Sequence, residues 1–198
     1  MSAMDMSGFE TVLNSIRPAD KDVAAAAQRR LDSLTKPRGS LGRLEECALR
    51  YVSARGDMDA KLEFPTILTF AGDHGVAEEG VSAFPSEVTR QMVANFSNGG
   101  AAINVLVRHA EARLTVIDVG VAGGPLRLPG VVDRKVAEGT RNFTKGPAMT
   151  EAQTLAALQA GGEAAAKAVR DGGTLMGTGD MGIANTTPSS AMYSALLD

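Results

Sequence analysis

The sequence has no tryptophan, two tyrosines, one cysteine and two histidines among 198 residues, and each scarcity removes a class of function. With aromatics at 4% there is little surface on which bases could stack, and a formal charge of -3 without a Lys/Arg cluster argues against nucleic acid as a partner. Cys47 alone cannot form an intrachain disulfide, which suits a reducing cytoplasm; inside a helical pattern it is expected to be a buried small apolar residue. His74 and His109 are not accompanied by a cysteine cluster, so no metal site is expected. Asp5, Glu10 and Arg17 interrupt the N-terminal residues and leave no apolar run for a signal peptide or membrane span. The expectation is a cytoplasmic protein without a membrane partner, and 44% hydrophobic residues suffice for the core of one domain with a small appendage.

What is present alternates in texture. Asp20 can cap a helix in which Val23, Ala27, Leu31 and Leu34 share a face, ending at the Pro37–Gly39 turn. Ser40 can cap a second helix with Leu41, Leu44, Ala48 and Tyr51 on one stripe. From Phe64 the pattern changes. Thr66–Phe70 and Leu114–Val119 are β-favouring apolar runs, and Thr174–Met176 begins a third. Between them lie helical stretches with Val88, Met92 and Phe96, then Ile103 and Leu106, each set on one face. Thr150 to Gln153 has capping-box spacing and opens an Ala-rich helix that can turn Leu155, Leu158, Ala165 and Val169 to a sheet, with Gly161 and Gly162 weakening it or permitting close packing. Residues 120–147 read as an irregular excursion in which Val131, Val132 and Val136 could form a short strand. The expected fold is α/β and Rossmann-like, a mainly parallel sheet with flanking helices plus a small helical N-terminal unit, divided as residues 1–57 and 58–198.

Three strand-end loops carry candidate chemistry. Gly177, Gly179 and Gly182 spell G-x-G-x-x-G, a dinucleotide fingerprint read as a glycine-rich turn after a strand. The motif normally opens such a domain, and no acidic residue closing a following strand is present, so an NAD-dependent oxidoreductase is a remote alternative. Asp180, Asn185, Thr186 and Thr187 are turn formers or helix caps that also supply donors and acceptors suited to a ribose phosphate. Asp73-His74 suggests a proton relay or a histidine that fixes its own loop. Glu78, Glu79 and Glu87 read as solvated charges; Ser40 and Ser82 lack a nucleophile elbow.

Four segments taken together resemble one family: Leu34-Thr-Lys-Pro-Arg-Gly-Ser-Leu-Gly-Arg-Leu-Glu45, Ala71-Gly-Asp-His-Gly-Val76 with Glu79-Gly-Val-Ser82, Asp118-Val-Gly-Val121, and Gly179-Asp-Met-Gly-Ile-Ala-Asn-Thr-Thr187. The chain is similar to the N-terminal portion of the nicotinate-nucleotide:dimethylbenzimidazole phosphoribosyltransferases. The resemblance implies transfer of 5-phosphoribosyl from nicotinate mononucleotide to 5,6-dimethylbenzimidazole, giving α-ribazole 5′-phosphate and nicotinate in cobalamin assembly, by an enzyme that uses no cofactor and forms a homodimer. It implies a nucleotide site at Gly179, Asp180, Met181 and Gly182, shaped by Asn185 and Thr186, and a base pocket near Asp73, His74, Phe84 and Met92. Asp180 stands where many relatives carry Glu, and is the candidate catalytic residue of this chain; the general-base glutamate is expected beyond Asp198. The alternative is a nucleotide-binding module or complementing subunit without catalysis of its own.

Overall fold

The computed structural model describes residues 6–197, which form two compact units divided between Leu62 and Glu63. The first is helical: α1 (Met6–Ser15), α2 (Lys21–Asp32) and α3 (Arg43–Arg55). Asp20 caps α2 as expected, its carboxylate accepting from the N–H groups of Asp22 and Val23 at 2.9 and 3.0 Å. Its own N–H donates to Ser53 O, and Ser53 Oγ donates to Asp20 O, which ties the start of α2 to the end of α3.

Two expectations fail on α3. The cap is Gly42 rather than Ser40, at a positive φ of 55, and Leu41, Leu44 and Ala48 are exposed. The buried residues of the helix are Glu45 and Ser53, and Cys47 is exposed. The reason is electrostatic. Glu45 accepts from Lys36 Nζ at 2.8 Å and from the Leu41 N–H at 3.0 Å, so the Pro/Gly turn closes around a carboxylate and turns its leucines outward. The Lys36 hydrogen bond, then that of Leu41, holds Glu45 below the usual carboxylate range.

The second unit is α/β. Its strands β1 (Thr66–Gly72), β2 (Arg113–Gly120), β3 (Val131–Asp133) and β4 (Met176–Met181) form a parallel sheet in the order β3-β2-β1-β4. Helices α4 (Glu87–Ser97) and α5 (Ala102–His109) connect β1 to β2; α6 (Glu151–Arg170) connects β3 to β4, and α7 (Thr186–Leu196) follows. On one face Val93 of α4 packs with Ala71, Val116, Val121 and Leu126. On the other, Ala168 of α6 packs with Leu68 and Ile117. Burial of a leucine or isoleucine stabilises by about 1.5–3 kcal/mol, which anchors both layers to the central strands.

The capping box at Thr150 forms, with Gln153 N donating to Thr150 Oγ1 and Thr150 N to Gln153 Oε1. The face of α6 differs from expectation. Leu158 and Val169 are exposed, and the sheet receives Ala165, as expected, together with Ala164 and Ala168, because small side chains let the helix lie close over Leu68 and Ile117. Gly161 and Gly162 face open space and serve no close packing. On α5 the buried residues are Asn104 and Val107, and Leu106 is exposed. Val136 lies outside β3. The third long strand starts later than predicted: Thr174 bonds to Glu63, and β4 begins at Met176 and runs through the glycines. No described helix is long and apolar enough to cross a membrane.

Candidate active site

From β1 the chain turns to β2 on one side, while β3 returns through α6 to β4 on the other. Open α/β sheets bind ligands at such a switch point, beyond the C-terminal ends of the strands. Here the edge is made by Asp73-His74 after β1, Val121-Ala122 after β2 and Gly182 after β4.

Asp73 is buried and held on three sides: its N–H donates to Gly120 O, its carbonyl accepts from the Thr140 N–H, and Oδ2 accepts from the Ala122 N–H at 2.8 Å. Oδ1 is buried without a hydrogen bond among the described residues. His74 lies against Gly182, where an added Cβ would sit 2.7 Å from Nε2 and collide with the Gly72 carbonyl. Burial pushes the imidazole pKa below its ordinary 6.5, against the pull of Asp180 and Asp73. Asp180, at the end of β4, accepts from Asn185 Nδ2 at 3.0 Å.

These three side chains line one recess of about 180 Å³. Phe70 and Val119 supply apolar surface from the strands; Val136, Met149, Gln153 and Ala157 come from the excursion and α6. The recess therefore combines apolar walls with two carboxylates and an imidazole, an arrangement able to hold a planar neutral ring and accept a hydrogen bond or proton from it.

The sequence-predicted residues divide between the two faces of β4. Pairing puts Gly179 opposite Thr69 and Asp180 opposite Phe70, so Asp180 is on the recess side, while Gly179 and Met181 are on the side where α4 packs. Gly177 and Gly179 lie inside the strand, leaving Gly182 as the only turn glycine of the three, which corrects the glycine-turn reading. Asn185 precedes α7 and Thr186 starts it. Phe84, exposed before α4, and Met92, half-buried on α4, do not line the recess.

Sequence reasoning missed the walls that come from residues 136–157. It also missed the support beneath them. Asp118 is fully buried, with Oδ1 accepting from the Gly120 and Val121 N–H groups at 3.0 and 2.8 Å. Lys135 Nζ lies 3.5 Å from Asp118 Oδ2 and donates to the carbonyls of Val121 and Gly124. This ammonium pins the chain on either side of β3 to the end of β2. The one visible signal was an acid two residues before Gly120, a spacing that suits a side chain bonding its own turn.

A family profile described as phosphoribosyltransferase matches residues 16–198. Two relatives named nicotinate-nucleotide–dimethylbenzimidazole phosphoribosyltransferase, from Pelodictyon phaeoclathratiforme and Geobacter sulfurreducens, are each 55% identical over 190 residues, covering 96% of this chain and 54% of theirs. The crystal structure of the Thermus thermophilus protein of that name matches with a TM-score of 0.85 and 50% identity over 90% of this chain and 54% of its own. The chain spans about half the length of the curated relatives it matches. From the profile match and these identities, the chain belongs to the nicotinate-nucleotide:dimethylbenzimidazole phosphoribosyltransferase family.

Proposed function

We propose that this chain provides the strand-end substrate site of an enzyme that transfers 5-phosphoribosyl from nicotinate mononucleotide to 5,6-dimethylbenzimidazole, forming α-ribazole 5′-phosphate and nicotinate in cobalamin nucleotide assembly. The observation that carries this reading is the convergence of Asp73, His74 and Asp180 on one recess at the switch between β1 and β4, in a chain of this family. In the displacement, an azole nitrogen attacks the anomeric carbon as its bond to the nicotinate nitrogen breaks, with inversion. The azole N–H proton passes to a base. His74, kept neutral by burial, Asp180 and the unbonded Oδ1 of Asp73 are the groups of the recess that can take up a hydrogen bond from the ring. Gly182, Asn185 and Thr186 make the loop after β4 assigned to the nucleotide, while Gly179 and Met181 within β4, and Phe84 and Met92 before and on α4, lie outside the recess and are assigned to substrate by the family resemblance alone. The enzyme works in the cytoplasm as a homodimer, which light scattering on the purified protein tests.

The test of the reaction is incubation with nicotinate mononucleotide and dimethylbenzimidazole, followed by chromatography for α-ribazole 5′-phosphate. The expected result is product from a protein of the relatives' full length that contains this sequence; absence of product there overturns the assignment. The second reading is a nucleotide-binding module or complementing subunit without catalysis of its own. It predicts saturable mononucleotide binding by the 198-residue chain without product.

A further inference from the structure

The nucleotide loop is bonded to α4 at a buried point. Thr89 has no solvent exposure, and its Oγ1 accepts from the Ile183 N–H at 3.0 Å. Ninety-four residues separate the partners, so the bond joins two strand-end connections that the sequence keeps apart. On either side of Ile183 the loop is tightly constrained. Gly182 is pressed against the Gly72 carbonyl and the His74 ring, and Ala184 is buried in the left-handed region at φ 70, a conformation that an L side chain adopts only at a cost. The next residue, Asn185, donates to Asp180. An unfavourable backbone conformation persists only where its surroundings fix it, and the Thr89 hydroxyl is the side-chain acceptor that does so here.

From this geometry we infer that Thr89 is a positioning residue for the mononucleotide. It holds Ile183 so that Gly182, Ala184 and Asn185 keep the backbone shape offered to the ribose phosphate, and it fixes Asn185 where it can orient Asp180. The adjacent Arg90 donates to the carbonyls of Ala122, Gly124 and Pro125, so neighbouring residues of α4 set the loop after β4 and the loop after β2. The inference rests on the nucleotide-loop reading above, and the two are separable by experiment.

Thr89→Val keeps the volume and removes the acceptor; Thr89→Ser keeps the acceptor. Two measurements on the 198-residue chain decide the matter: amide hydrogen exchange at Ile183 and its neighbours without ligand, and calorimetric titration with nicotinate mononucleotide. Thr89→Val is expected to speed exchange of the Ile183 amide and weaken mononucleotide binding about fivefold, the equivalent of one hydrogen bond, while Thr89→Ser restores both. Should Thr89→Val not fold, Thr89→Ala removes the same acceptor and is read in the same way. Wild-type exchange and affinity in a folded variant lacking the hydroxyl would overturn the role of Thr89. If the wild-type chain does not bind the mononucleotide, the nucleotide-loop reading falls for this chain, and the Ile183 exchange rate alone decides whether Thr89 holds the loop.

Discussion

Strand β1 has two unlike neighbours. Toward β2, Ile67 pairs with Leu114, Thr69 with Val116 and Phe70 with Ile117, so side chains fill both layers. Toward β4, Ile67 pairs with Gly177 and Thr69 with Gly179, and the side chains of β1 occupy the space that Cβ atoms on β4 would need. On the β2 flank, order comes from packing and from a buried charge pair. The β4 flank is ordered by omission: without side chains at Gly177, Gly179 and Gly182, this strand and its loop fit against β1 and His74. Asp180 is the one ionisable side chain of β4, and it points to the recess. The molecule thus separates a flank that stabilises from a flank that presents chemistry.

The largest expected effect breaks the β2 flank. Lys135→Met leaves Asp118, whose side chain is 1% exposed, without its counter-ion and removes the donor that holds the Val121 and Gly124 carbonyls. Breaking a buried pair from one side costs about 3–5 kcal/mol, so urea unfolding should show a loss of about 3 kcal/mol. Adding Asp118→Asn should recover part of it, because the uncompensated charge is then gone. A loss below about 1 kcal/mol for Lys135→Met would mean that the two backbone N–H groups satisfy Asp118 unaided, and the contrast between flanks would weaken.

On the β4 flank, the two glycines that meet different kinds of neighbour should respond differently. Gly182→Ala sets a Cβ against the fixed Gly72 carbonyl and the His74 ring, and should destabilise by about 2 kcal/mol while displacing His74 resonances. Gly177→Ala meets only the flexible end of Ile67, whose Cδ1 lies 2.8 Å away, and should cost about 1 kcal/mol. Ile67→Val removes that methyl group. In the double variant the two substitutions should cost less than the sum of their separate losses. Simple additivity would show that Gly177 is present for some reason other than the space taken by Ile67.

These same glycines mark how far the sequence could be read. β1 and β2 were visible because β-branched, apolar runs have few other uses, and Asp20 and Thr150 because a cap is a local bond. β4 was misplaced by two residues: glycine disfavours strands, and the fit of Ile67 and Thr69 over Gly177 and Gly179 is a tertiary fact. Asp73, His74 and Asp180 could be named as strand-end residues. Their common recess could not, since Val136, Met149 and Gln153 reach it from segments that carry no periodic signal of their destination. Leucine outranked alanine on α6 in sequence, yet close approach to the sheet selects the smaller side chain. On α3 a buried Glu45 defeated a plausible leucine stripe because hydrophobic periodicity does not register a carboxylate that brings its own donors.

The smallest effect concerns His74, which stands where the flanks meet. Its pKa in the folded protein lies below the ordinary 6.5 because burial disfavours the charged ring, so near pH 6 the unfolded chain binds more protons than the folded one. Stability is then level above about 6.5 and declines as pH falls from there toward the folded pKa. Below the folded value this contribution levels off, since both states are protonated. Urea midpoints at pH 7.5 and 5.5 should show that decline, and His74→Gln should reduce it by removing the titrating group. With only two histidines in the chain, a His109→Gln variant assigns the ring signals in a proton NMR titration. A His74 ring titrating above about 7 would show that Asp180 and Asp73 outweigh burial by enough to charge it. The recess would then hold an imidazolium at neutral pH, a donor toward substrate rather than an acceptor, and the part proposed for His74 in receiving the azole hydrogen bond would fall.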